Sequence, residues 1–139
     1  IALPKEKVVE LWENPDNLVH WQDGFMGMDH ISGNPGQAGA KSLMKYQFKR
    51  GLMELEETIL ENQLPDRFAG QYDHKHMTNT MVNTFTELPN GDTRWSSEIE
   101  YTKFKAFLPR LMAFLFPGMF RKQAQKWFDQ FKTFSESQS

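Results

Sequence analysis

Six stretches in the middle of this chain alternate bulky apolar and polar residues, and the turns between them are too short to hold a helix. They are 25–31, 40–49, 52–62, 67–76, 78–88 and 93–104. Gly33-Asn34-Pro35-Gly36, Arg50-Gly51, Leu64-Pro65-Asp66 and Pro89-Asn90-Gly91-Asp92 punctuate them. Parallel neighbours need a crossover of a dozen or more residues, so such short connections force antiparallel pairing. Asn90-Gly91 is the firmest hairpin signal, because both residue types accept positive φ cheaply. Residues 1–3 read as the tail of a strand begun earlier, which brings the sheet to about seven strands with the first clipped.

Helical spacing frames this sheet on both sides. Pro4 suits a first helical turn, Val8, Leu11 and Trp12 follow at helical intervals, and Asn14-Pro15 ends the run. A second short helix is expected over 16–21, with Leu18 and Trp21 on one side. From Leu111 to Phe134 a broad apolar stripe recurs every three to four residues, and Pro117-Gly118 should kink or divide it. A sheet with one polar face needs a cover for the other, and this helix is the candidate. The fold class is therefore α+β, and 139 residues fit one domain, 1–139.

Alternation assigns the inward face strand by strand. It takes Met44, Tyr46 and Phe48; Met53, Leu55, Glu57 and Ile59; Phe68, Gly70, Tyr72 and His74; Met81, Asn83 and Phe85; Trp95, Ser97, Ile99 and Tyr101. Closing the hairpins at the turns named sets Glu57 opposite His74, His74 opposite Asn79, and Asn79 opposite Tyr101. Met44 or Tyr46 lies beyond Glu57. An ionised carboxylate buried alone is costly, so Glu57 should pair with His74 or keep its proton. Three readings of the pair stay open: a satisfied structural contact, an anchor for a ligand's polar end, or an acid–base couple with His74 and Glu57 as the catalytic candidates. The candidate ligand wall comprises Trp21, Tyr46, Glu57, Tyr72, His74, Asn79, Met81, Asn83, Trp95, Ile99 and Tyr101. The long helix adds Met112, Phe116, Phe120, Gln123 and Trp127.

Composition excludes several alternatives. With 16 Lys+Arg against 18 Asp+Glu the chain lacks the basic balance of a nucleic-acid binder. It has no cysteine, hence no disulfide scaffold or thiolate metal site, which suits a reducing, cytoplasmic setting. His74 and His76 share a strand face, but no cluster of metal-ligand spacing surrounds them, so no metal is expected. Gly33, Gly36 and Gly39 precede no helix and form no phosphate loop; no cofactor motif is present. No run of about 18 apolar residues occurs, so stable membrane insertion is not expected. Residues 104–120 read as a lid, with a membrane-touching or homodimer-forming patch as the second reading. Twelve Phe, eight Met and four Trp supply either a dense core or the wall of a cavity.

The order of one clipped strand, two short helices, six strands and a long helix resembles the helix-grip fold of the START/SRPBCC superfamily, including its polyketide cyclase/dehydratase group. Similar segments are Leu3-Pro4-Lys5-Glu6-Lys7-Val8 through Trp21-Gln22, Glu56-Glu57-Thr58-Ile59, Asn79-Thr80, Thr93-Arg94-Trp95 and Phe131-Lys132. The resemblance implies a cavity between sheet and helix, opening near the 33–39 loop, other strand loops and the start of the long helix. It also implies a small hydrophobic ligand, lipid- or polyketide-like. Some such proteins catalyse cyclisation or dehydration, so a cyclase-like enzyme is one alternative and a co-chaperone or oligomerising module another. No fixed catalytic motif transfers.

Overall fold

A computed structural model describes residues 1–48, 51–75, 77–104 and 117–138, with the side chains of all but 104 and 117–121. Helix α1 spans Lys5–Glu13 behind Pro4. A 3-10 turn over Pro15–Asn17 leads into α2, Leu18–Trp21. The strands are β1 Phe25–Ser32, β2 Lys41–Phe48, β3 Gly51–Gln63, β4 Arg67–Asp73, β5 Met77–Glu87 and β6 Thr93–Phe104, and α3 spans Pro117–Ser137. The six central strands expected are present, with β4 ending three residues early. Helix α3 begins at the proline expected to kink it; Met112 and Phe116, with the rest of 105–116, lie outside the described residues.

The described strands form one antiparallel sheet in the order β1-β2-β3-β4-β5-β6. Six strands replace the expected seven. Where residues 1–3 were expected to form a strand, Ile1 and Thr93 exchange backbone hydrogen bonds of 2.8 and 2.9 Å. The Asn90-Gly91 hairpin closes as its residues demand: Gly91 adopts φ +90° and the Leu88 amide donates to Asp92 O at 2.8 Å.

One helix grips strands far apart in this sheet. Trp127 stacks on Tyr46 of β2 at 5.5 Å, while the next residue, Phe128, meets Trp95 of β6 at 4.4 Å. Four strand spacings measure about 19 Å in a flat sheet, whereas a helix is only about 10 Å across. Both contacts from neighbouring residues therefore require the sheet to wrap around α3. Phe131, fully buried, fixes the centre of the core against Trp21 and Trp95.

Alternate connections gather at opposite ends. The α2–β1 connection, the β2–β3 and β4–β5 junctions and the end of β6 share one end. There Lys126 of α3 meets Asp23 at 2.7 Å. The β1–β2 loop, the β3–β4 turn and the β5–β6 turn share the other. At that end Glu136 of α3 accepts from the Ala2 amide. The 33–39 loop thus lies at the opposite end of the sheet from Lys126 and Asp23, and the expected start of the long helix at Leu111 lies outside the described residues. The loop is tied to the sheet, with the Gly39 amide donating to Ile59 O at 2.7 Å and Asn62 donating to Gly36 O at 2.6 Å.

Candidate functional site

One residue from each strand contributes to a polar row across the inner face: His30, Ser42, Glu57, Tyr72, Asn79 and Tyr101, each directly opposite the next. The row was expected, but not its membership. Tyr72 occupies the place assigned to His74, and Ser42 lies beyond Glu57 in place of Met44 or Tyr46. The displacement is two residues. The β3–β4 turn closes at Gln63 and Arg67, and a bulge then leaves Leu60 without a partner in β4. His74 has moved into the β4–β5 turn, where its amide donates to Met77 O at 2.8 Å.

Glu57 is buried and accepts a 2.9 Å hydrogen bond from the Tyr72 hydroxyl. Gly70 makes this bond fit. A Cβ at position 70 would stand 2.9 Å from the Tyr72 hydroxyl oxygen, so the absent side chain leaves room for the phenol above the strand. Burial pushes the Glu57 carboxyl above its ordinary pKa, and the Tyr72 hydrogen bond offsets part of that rise. The Tyr72 hydroxyl is pushed well up as well, by burial first and by the Glu57 charge second. Both shifts run in the direction of a pair that holds its protons.

Beside this pair Tyr46, almost fully buried, donates to Gln22 Oε1 at 2.8 Å. Gly24 lets the chain bring Gln22 there. It adopts φ +91°, and a side chain would strike Gln47 O and the Phe48 ring. Burial again raises the Tyr46 pKa, with the Glu57 charge as the lesser cause. Trp127 covers the Tyr46 ring at an interplanar angle of 21°. Buried yet without a hydrogen-bond partner are Trp12 Nε1, Trp21 Nε1, Gln123 Nε2, Trp127 Nε1 and Gln130 Oε1, and four of these five are donors.

No protein-family model matches this sequence, and no curated protein matches it. Solved structures do. Ara h 8.0201 superposes with a TM-score of 0.76 at 11% identity, covering 97% of this chain and 91% of that one. A Thermus thermophilus protein gives 0.78 at 12%, covering 100% and 94%. A conserved protein from Geobacillus kaustophilus gives 0.77 at 12%, covering 99% and 91%. The chain has the helix-grip fold that these structures share. At such low identity the likeness is one of fold.

Within this helix-grip frame the remaining candidates separate. Trp21 is buried between Trp95 and Phe131. Asn83 is closed off: its Oδ1 accepts from Trp95 Nε1 at 3.0 Å and from the Ser97 hydroxyl at 2.5 Å. Asn79 and Met81 are half-buried on the inner face. Ile99 and Tyr101 lie on that face by register but are 38% and 36% exposed, because β6 is an edge strand and is wrapped less fully than the centre. The side chain of Phe120 lies outside the described residues, as does His76. Alternation along β2 could have found Ser42, two residues before Met44. Gln22 follows a helix end and carries no periodic signal.

Among the described residues no group of three metal-ligating side chains occurs. None of their helices is long and apolar enough to cross a membrane. An open groove of about 700 Å³ runs along the outer side of α3, lined by His20, Gln130 and Phe134 among others. It touches neither Glu57 nor Tyr46 and is separate from the inner face.

Proposed function

We propose that this protein binds a small hydrophobic molecule between the inner face of the sheet and α3, with the molecule's polar end near Tyr46, Trp127 and Gln123. One observation carries the reading. Buried N–H groups in a finished core are nearly always paired, yet Gln123 Nε2 and Trp127 Nε1 lie unpaired on α3, whose Trp127 and Phe128 form an aromatic wall with Tyr46 and Trp95. A wall of this kind, apolar with a few convergent polar groups, is the usual lining of a small-molecule site. The helix-grip fold supports the same place between sheet and helix. A lipid- or polyketide-like ligand is the finer form of this proposal.

An acid–base enzyme has less support. It required Glu57 and His74 to face each other, and the partner opposite Glu57 is Tyr72. A co-chaperone or oligomerising role rests on residues 104–120, most of which lie outside the described residues.

The test is displacement of N-phenyl-1-naphthylamine, a neutral probe whose fluorescence rises in apolar surroundings, backed by native mass spectrometry of gently purified protein. Saturable uptake of one probe per chain is expected. An interior that takes up no probe and carries no co-purified mass would end the proposal.

A further inference from the structure

We infer that the bound molecule is neutral and presents a carbonyl-type oxygen, as in a ketone, ester or lactone, to Trp127 Nε1 and Gln123 Nε2. The inference rests on the binding proposed above and specifies its chemistry.

The unpaired buried donors are not equivalent. Trp21 meets the rings of Trp95 and Phe131 at 88° and 71°, and Trp12 meets Phe68 and Phe85 at 72° and 70°. An indole N–H in such edge-on company can rest on an aromatic face, a weak but real acceptor. Trp127 lies nearly parallel to Tyr46. An indole N–H lies in the ring plane, so in a stacked pair it points past the neighbour and finds no aromatic face there. Gln123 Nε2 is its companion one helical turn earlier, and residues four apart share a helix face. Both groups can therefore address one oxygen or two neighbouring ones.

Their chemistry sets the class of partner. An indole nitrogen donates and never accepts, so Trp127 asks for an acceptor. Nearby acceptors on the sheet side already have donors: Glu57 has Tyr72, Gln22 has Tyr46, and Asn83 has Trp95 and Ser97, while the unpaired Gln130 Oε1 belongs to the outer groove. A ligand alcohol or amine would bring more donors to a site already in surplus. A ligand carboxylate would accept, but no lysine or arginine is found among the buried polar side chains of the described residues. Its desolvated charge would have no counter-ion, with Glu57 just beyond Tyr46. A neutral oxygen acceptor answers the surplus without that penalty.

The experiment uses four naphthalenes of matched shape: 2-acetylnaphthalene, 2-ethylnaphthalene, 2-naphthoate and 2-naphthylmethylamine, each displacing N-phenyl-1-naphthylamine at pH 7. The ketone is expected to bind about tenfold tighter than the hydrocarbon, as for one buried hydrogen bond to a previously unpaired donor, and tighter than both ions. In Trp127→Phe the ketone-to-hydrocarbon ratio should fall toward one, and in Gln123→Leu it should fall in part. Of the four indole N–H resonances of the intact protein, one should move downfield with the ketone, stay with the hydrocarbon, and be the resonance absent from Trp127→Phe. Equal binding of ketone and hydrocarbon, or preference for either ion, overturns the inference and leaves the binding site standing. If the probe itself does not bind, the underlying proposal fails instead.

Discussion

Two polar clusters share the inner face of this sheet and differ in whether their hydrogen bonds close. Around Asn83 they do: the amide oxygen takes two donors, the amide nitrogen reaches Phe68 O at 3.5 Å, and the residue is 1% exposed. Around Tyr46 and Trp127 they do not, since Trp127 Nε1 stays unpaired where its ring stacks on Tyr46, as does Gln123 Nε2 four residues earlier on α3. A closed polar cluster specifies the packing of a core, and an open one reserves bonding capacity for something else. Burial and polarity alone would have ranked Asn83 together with Gln123 and Trp127 as site residues. Counting partners separates them.

The largest effect should fall on the closed cluster. Asn83→Ala strips Trp95 Nε1 of its buried acceptor and opens a small cavity, so urea denaturation should show a loss of about 3 kcal/mol. A loss below about 1 kcal/mol would remove the contrast. Next comes Tyr72→Phe, which takes the donor from a buried carboxyl. It should cost about 1.5 kcal/mol and raise the Glu57 pKa further, readable by carboxyl NMR titration.

Glu57→Gln should act with the opposite sign and only in one pH range. The folded protein holds the Glu57 proton more tightly than the unfolded chain, so its stability falls as pH rises from about 4.5 to the raised pKa. The amide keeps an acceptor for Tyr72 and cannot ionise. The variant should therefore match the parent in acid and exceed it at higher pH, by about 1.4 kcal/mol for every tenfold increase in proton affinity on folding. Parallel stability–pH curves would mean that Glu57 does not feel its burial. The smallest effect is expected from Gly70→Ala, which crowds the Tyr72 hydroxyl off Glu57 while stiffening the unfolded chain. A net cost below about 1 kcal/mol, with a pH profile shifted in the direction of Tyr72→Phe, would tie the glycine to the pair.

The face on which the candidate site lies was legible in the sequence. Tyr46, Glu57, Tyr72 and Asn83 all lie on the face that alternation chose, and Gln123 and Trp127 lie on the helix that covers it. The pairing of Glu57 with His74 was not. A turn that closes one position early and a bulge at Leu60 together move β4 by two residues. A shift of two leaves every side chain on its original face, so no reading of alternation can detect it.

The sequence by itself determined the six strands, the helices flanking them and the direction each central side chain takes, because those depend on local spacing and turn chemistry. Tertiary packing alone decided which residues stand abreast, how closely β6 is covered, and which buried donors go without a partner. Those outcomes depend on how strands slide and curve around α3, and sliding by whole pleats changes the neighbours while leaving the pattern intact.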